Sequence, residues 1–429
     1  MKSSKRVFVI AAVLILAAGL LAWFIWQRSE ETPKPDGANS NRPLARTPPA
    51  LSIPRKVNSE LPPIREGEFV TRQGSKLMLG ASEFRFVGAN AYYLQPEIVY
   101  GNLAGVAEVL DDLAEMGLSV VRTIGFNDHP PAQDSAAIQI RPGEYDEQSL
   151  VALDTALAEA RARNIRVILY LTGNWSHFGG VNRYVQWYEE ECACKARHDD
   201  FFTNETIKGW YKAYVAMLLN RTNTVTGVVY TNDPTIMAYE LGNELRSDAG
   251  DSAMVLAWLS EMAEFIKTID RNHLVADGGE GFDDDLKLYP GLSNRYPVSG
   301  TTGNSYHRLV NIPHIDMASY HMFPTKYDLN ETKDARIWIS VHEKLARAAG
   351  KVAYLGEFGT AGPAARRSKI FQQWLDQTVA NNNVGSLVWQ MVYDGRPDTD
   401  GFAIYYPRDE AVISTLRQYA RRSGVAPSQ

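Results

Sequence analysis

The sequence predicts a single TIM-type (β/α)8 barrel, α/β in class, preceded by a membrane-crossing helix and a disordered linker. Two observations carry the barrel. From Glu66 onward, short apolar runs of strand character alternate with helical patterns, with eight candidate strands in all. Polar residues suited to chemistry recur at the ends of those runs, where a barrel gathers its ligand-binding loops on one face. A doubly wound open sheet is the alternative. It calls for a Gly-rich phosphate turn, and the chain has neither G-x-G-x-x-G nor a P-loop.

At 429 residues, 45% apolar and 22% charged, the chain suits one barrel with appendages. A net charge of −6 without a long basic run argues against nucleic acid as a partner. Nine Trp and 21 Tyr suit a carbohydrate site, because aromatic faces stack on the C–H faces of sugars, although core packing explains most aromatics. Cys192 and Cys194 give no disulfide framework. With one residue between them a mutual disulfide would be strained, and two thiols without His partners make a poor zinc site. They read as a loop feature, with a labile disulfide open to them in an oxidising compartment.

Lys2, Lys5 and Arg6 precede an uncharged apolar run from Val7 to Trp26, long enough to cross a bilayer. The run ends in Trp23-Phe24-Ile25-Trp26, which suits an aromatic interface belt better than a signal-peptide cleavage site. Residues 1–27 are therefore expected to be an uncleaved anchor with the rest of the chain periplasmic or extracellular; a cleaved signal and secretion is the alternative. Residues 28–65 are rich in Pro, Ser and Asn without periodicity and read as a tether. Residues 66–425 are expected to form the barrel domain, which would carry any catalytic site.

Within that domain Phe69-Val-Thr and Leu77-Met-Leu suggest a hairpin across the barrel floor. The predicted strands are Phe84–Ala91, Ser119–Gly125, Ile165–Thr172, Thr235–Leu241, His273–Asp277, Asp316–His321, Val352–Gly356 and Ser386–Val392. Apolar stripes mark helices between them: Leu150, Leu153, Leu157 and Ala160; Val255, Leu259, Met262 and Ile266; Ile337, Val341, Leu345 and Ala348.

Polar residues then fall at strand ends in order: Arg122, Thr172-Gly-Asn-Trp175, Asn243-Glu244, Glu280, Tyr320-His321, Glu357 and Trp389-Gln390. Two glutamates without a metal-ligand cluster fit glycosidic cleavage, one protonated to donate to the leaving oxygen and one ionised to attack the anomeric carbon. Neither a metal nor a cofactor is implied. Arg122 is expected to hold Glu357 charged, and that charge to keep Glu244 protonated. Asn243 suits a sugar 2-hydroxyl, His321 a carboxylate or sugar hydroxyls, and Trp389 the floor under a sugar ring. A lone strand-end residue of any of these types is more often structural; their shared location is what points to a site.

The ordered set Arg122, Asn243-Glu244, His321, Glu357, Trp389 resembles the clan A retaining glycosidases, specifically glycoside hydrolase family 5. Within it, Phe86-Val-Gly-Ala-Asn-Ala-Tyr92-Tyr-Leu94, Asn174-Trp175 with Phe178-Gly-Gly-Val-Asn-Arg-Tyr184, and Glu280-Gly-Phe282 are similar to endo-β-1,4-mannanases. The resemblance covers about Glu68 to Pro407. It implies retention with Glu244 as acid/base and Glu357 as nucleophile, a polysaccharide substrate, and Tyr92, Trp175 and Glu280 among the supporting residues. There are departures. The family's His-x-Tyr is His321-Met-Phe323, removing a hydroxyl from the nucleophile unless Tyr320 or Tyr393 replaces it, and a mannanase Trp is Tyr327. The long loop Asp283–Pro313 is expected to shape the cleft. A cellulase, an exo-β-mannosidase or a transglycosylase of the same family is the alternative reading, and a non-catalytic sugar-binding barrel a second.

Overall fold

The computed structural model describes residues 61–130 and 132–423. Eight parallel strands close into a barrel: β1 (Phe86–Asn90), β2 (Val120–Ile124), β3 (Arg166–Tyr170), β4 (Ile236–Glu240), β5 (Leu274–Ala276), β6 (Met317–Met322), β7 (Val352–Phe358) and β8 (Gly385–Val388), with β8 pairing back onto β1. Every residue of these strands is buried, as strands covered on both faces must be.

Helices wrap the outside: α1 (Leu103–Met116), α2 (Glu147–Arg161), α3 (Glu205–Leu219), α4 (Ser252–Ile269), α5 (Tyr306–Leu309), α6 (Lys333–Ala348), α7 (Ala364–Ala380) and α8 (Glu410–Ser423). Asn102, Asp146, Asn204 and Asp251 cap α1 to α4 by accepting from backbone N–H groups of the first turn. The fifth unit departs from the expected pattern, because α5 is a single turn within the Asp283–Pro313 segment. That segment is braced by polar ties instead: Asp283 accepts from Tyr289 Oη at 3.1 Å and Asp284 from Ser305 Oγ at 2.6 Å.

The expected hairpin is present, Val70–Gln73 against Lys76–Leu79, with Ser82–Phe84 added as a third strand. Phe84 therefore belongs to this small sheet and not to β1. Leu77, Leu79 and Phe84 pack on Phe86, Val120, Ile168, Met237 and Met317 and plug the amino-terminal mouth.

Two boundaries and one stripe differ from the sequence reading. β8 ends at Val388; Met391–Val392 leave the barrel to pair with Ile404–Tyr405. β7 runs through Glu357, so that carboxylate lies within its strand and not beyond it. In α6 the buried face is Ala335, Trp338, Ile339, His342, Glu343 and Ala346, while Ala348 is exposed. Glu343 can turn inward because Tyr320 Oη and Asn383 Nδ2 donate to it at 2.8 and 2.5 Å. Cys192 and Cys194 are joined as a disulfide at the end of the Gly180–Cys192 helix.

Among the described residues no helix is long and apolar enough to cross a membrane. The predicted anchor and most of the predicted tether lie outside the described residues. The tether's last residues are within them, and Leu61 is already buried against the barrel.

Candidate active site

The carboxyl ends of β2, β4, β6 and β7 bring the predicted polar set together. Arg122, fully buried on β2, ties it (Nη1 and Nη2 are its terminal nitrogens). Its Nη1 donates to Glu357 Oε1 at 2.7 Å and to Asn90 Oδ1 at 3.1 Å, and its Nη2 to Asn243 Oδ1 at 2.7 Å. Its Nε and Nη2 also pair with Glu240, the last residue of β4. Tyr354 Oη donates to the same Glu240 at 2.6 Å. With its oxygen taken by Arg122, Asn243 presents its Nδ2 amide as the donor for a ligand hydroxyl.

Glu244 sits four residues past the end of β4 with φ at 55°, a left-handed conformation that costs roughly 1–2 kcal/mol for a residue with a Cβ. Its N–H donates to Gly278 O at 2.9 Å, and its side chain is fixed at both oxygens. His321 Nδ1 lies 2.7 Å from Oε1, and Trp175 Nε1 donates to Oε2 at 2.5 Å. His321 Nδ1 is also 3.7 Å from Glu357 Oε2. The imidazole therefore stands between the two carboxyl groups. A donor atom from each of Glu244, His321 and Glu357 lies within 4.8 Å of the other two.

The two carboxyl groups are shifted in the directions opposite to the expectation. Burial raises the Glu244 pKa, but the His321 contact, the Arg246 charge and the Trp175 N–H outweigh it and bring it down to about 2. Burial pushes Glu357 up to about 7 against the pull of His321 and Arg122, with the Glu244 and Glu240 charges adding to the rise. The physical reason is the distribution of cations. Arg122 divides its charge between Glu240 and Glu357, and His321 sits closer to Glu244. Burial opposes protonation of His321, but Glu357 and Glu244 raise its pKa.

The remaining predicted residues line the walls. Trp389 stacks on Tyr92 with ring centroids 5.5 Å apart and planes 10° apart, and its Nε1 donates to Asp400 at 2.7 Å. Trp175 is 39% exposed, so one face of its ring stays open to a ligand. Glu280 is paired with Arg246, which donates to both its oxygens at 2.7 Å. Neither Tyr320 nor Tyr393 supplies the missing hydroxyl, since Tyr320 donates to Glu343 and Tyr393 to Glu97. Phe323 is buried against Trp389, Tyr327 and Phe402.

Three residues escaped the sequence reading. Glu240 stands in an otherwise apolar strand two residues after Ala238 of the barrel interior, and that incongruity was its signal. Asn90 ends β1 in the same way. Arg246 lies two residues past Glu244, with its guanidinium 5.0 Å from the Trp175 ring and 5.1 Å from the Phe282 ring. A second cluster with metal-like spacing, Asp283, Asp284 and His307, is taken up by its own ties: His307 Nδ1 is 2.6 Å from Asp283 Oδ1, and Arg308 Nη2 donates to Asp284 Oδ2 at 2.6 Å.

Residues 67–368 of the chain match a family model described as glycoside hydrolase family 5, β-mannosidase-like. The chain belongs to glycoside hydrolase family 5. It is 32% identical to mannan endo-1,4-β-mannosidase 3 of Arabidopsis thaliana over 83% of this chain and 90% of the relative. Among solved structures, the endo-β-1,4-mannanase of Thermotoga petrophila superposes with TM-score 0.74 and 32% identity, covering 82% of this chain and 79% of that one. An endo-1,4-β-mannanase of Rhizomucor miehei superposes with TM-score 0.74 and 29% identity, covering 83% and 99%. This family 5 member is a glycosidase.

Proposed function

We propose that this glycosidase cleaves internal β-1,4-mannosidic bonds by double displacement, with Glu357 as nucleophile and Glu244 as acid/base. The observation that carries the mechanism is the close approach of the two carboxylates, which place an oxygen each within 4.8 Å of the other. Retaining enzymes hold their carboxyl groups roughly 5–5.5 Å apart, whereas inverting ones leave about 6.5–9.5 Å for a water. The mannan preference is supported by the plant, bacterial and fungal relatives, whose names specify that substrate and which align over most of their length.

In the first step a Glu357 oxygen bonds the anomeric carbon as the glycosidic C–O bond breaks, and Glu244 passes its proton to the leaving oxygen. Water deprotonated by Glu244 then displaces Glu357 and releases the sugar with its anomeric configuration retained. Asn243 Nδ2 donates to the 2-hydroxyl, a contact that strengthens at the transition state. These opposite shifts fit this sequence once His321 is counted. Loss of the Glu357 proton frees the nucleophile, and the proton that remains belongs to the 2.7 Å His321–Glu244 contact. Its shift to Glu244 arms the acid, so the three groups titrate as one unit.

The test is a pair of variants. Glu357→Ala is expected to abolish turnover of mannan and of aryl mannosides. Glu244→Ala should still release dinitrophenol from a dinitrophenyl β-mannoside, and added azide should yield a β-mannosyl azide. An inverted product from the unaltered enzyme, or azide rescue of Glu357→Ala to the α-azide, would sink the assignment. Faster hydrolysis of carboxymethylcellulose than of mannan would move the substrate class.

The same proposal includes an anchor. The apolar run to Trp26, behind Lys2, Lys5 and Arg6, would hold the barrel outside the cytoplasm. Mass spectrometry of the native protein decides between this and secretion, since a mature N-terminus after residue 20 shows a cleaved signal.

A further inference from the structure

One guanidinium serves two buried carboxylates. Glu240 on β4 takes the larger share of it. Its Oε1 and Oε2 each lie 2.9 Å from Arg122 Nε, and Oε2 lies 2.7 Å from Nη2. From Arg122, Glu357 on β7 receives Nη1 alone, at 2.7 Å. Tyr354, three residues before Glu357 on the same strand, donates its Oη to Glu240 Oε1 at 2.6 Å. Arg122, Glu240 and Tyr354 are all fully buried. Gly278 lies against the same carboxylate. A Cβ there would meet Glu240 Oε2 at 2.7 Å, and its φ of 76° is one that glycine adopts without cost. The Gly278 carbonyl also accepts from Glu244 N at 2.9 Å, so one stretch of backbone packs on Glu240 and holds Glu244.

We propose that Glu240, steadied by Tyr354, is a positioning residue for the nucleophile, fixing how much of the Arg122 charge reaches Glu357. The proposal rests on Glu357 as the nucleophile. The groups facing Glu357 are Arg122 on β2, Tyr170 at the end of β3, Glu240 on β4, Glu244 past it, His321 on β6 and Tyr327 past it. Of these, Glu240 alone competes for the guanidinium by bonding it. Its negative charge also raises the proton affinity of Glu357 directly. A carboxylate paired with an undivided guanidinium holds its charge well below neutral pH. Divided, the guanidinium orients Glu357 through one N–H and leaves it basic enough to bond the anomeric carbon.

The experiment is the pH dependence of trapping by a 2-deoxy-2-fluoro-β-mannobiosyl fluoride in the unaltered protein, Glu240→Gln and Tyr354→Phe. A Glu357 oxygen bonds the anomeric carbon as fluoride leaves. Fluoride needs no proton from Glu244, so the acid limb reads Glu357. Glu240→Gln removes the competing charge and turns an amide donor toward a fork that can only donate. Arg122 then goes to Glu357, and the acid limb should move down by about one pH unit, a tenfold fall in proton affinity. Tyr354→Phe takes a donor from Glu240, which then draws harder on Arg122, so the limb should move up. A residue that only supports the fold would lower the rate equally at every pH and move neither limb. An acid limb unmoved or raised in Glu240→Gln overturns the proposal. Tyr354→Phe only removes an atom, so a limb unmoved or lowered there is decisive if Glu240→Gln fails to fold. Mass spectrometry of the trapped peptide separates the two failures. A label on a residue other than Glu357 removes the shared premise; a label on Glu357 with unmoved limbs removes only this inference.

Discussion

Arg122 makes contacts that only a guanidinium can make at once. Four partners, Asn90 on β1, Glu240 on β4, Asn243 just past β4 and Glu357 on β7, converge on its fork. A lysine offers a point charge and cannot span them. Arg122→Lys should therefore lower kcat/KM by on the order of a hundredfold, since Glu357, the proposed nucleophile, and Asn243, the proposed 2-hydroxyl donor, both lose their alignment. Arg122→Ala should also destabilise the fold by about 3–5 kcal/mol, because Glu240 is left buried without its counter-charge. Urea unfolding measures the second effect and kinetics the first. At Glu357 the sign of the pH effect follows from burial. Its pKa is raised to about 7, and in the proposed role only the ionised form attacks. The acid limb of kcat/KM should therefore lie well above the ordinary glutamate range and not near it. Glu244 and Glu357 were legible in the sequence because each carboxylate follows or ends an apolar run. Their charges were not, since these depend on where His321 and Arg122 divide their contacts.

Parallel strands buried on both faces announce themselves as apolar runs, and all eight were legible for that reason. What was not legible was where packing overrides periodicity. The α6 stripe was misplaced because His342 and Glu343 face inward, where Tyr320 and Asn383 meet the carboxylate. The boundary after Val388 was missed because Met391 and Val392 keep strand chemistry but pair outside the barrel. The helices gave clearer signals at their starts. Asp251 accepts from Met254 N at 3.1 Å and opens α4, which buries Trp258 and Met262. Asp251→Ala should cost about 1 kcal/mol in denaturant unfolding while leaving kcat/KM unchanged, because its side chain accepts from Met254 N of its own helix and not from a residue of the site.

A closed barrel leaves no free sheet edge, but it leaves an open mouth at the amino-terminal end. Here the three-stranded sheet plugs it through Leu77, Leu79 and Phe84. The residues just before that sheet complete the closure. Leu61 is buried, Ile64 N donates to Asn164 Oδ1 at 3.3 Å, and Pro62 O accepts from Arg166 at 3.5 Å. Arg166 is the weak point of this end. It is buried, burial pulls its pKa down to about 10, and its guanidinium lies 5.4 Å from the Phe84 ring. Pro62 O is its single hydrogen-bond acceptor among the described residues. A chain begun at Leu61 should keep this closure, whereas a chain begun at Glu66 loses both the acceptor and the apolar cover. Burying one leucine contributes roughly 1.5–3 kcal/mol, so the shorter chain should melt several degrees lower by calorimetry. Its kcat/KM at 25 °C should match the longer chain, because the site lies at the opposite end of the barrel. Equal melting temperatures would show that residues 61–65 contribute nothing to the fold. A lower kcat/KM in the shorter chain would show that strain at the floor reaches the catalytic end.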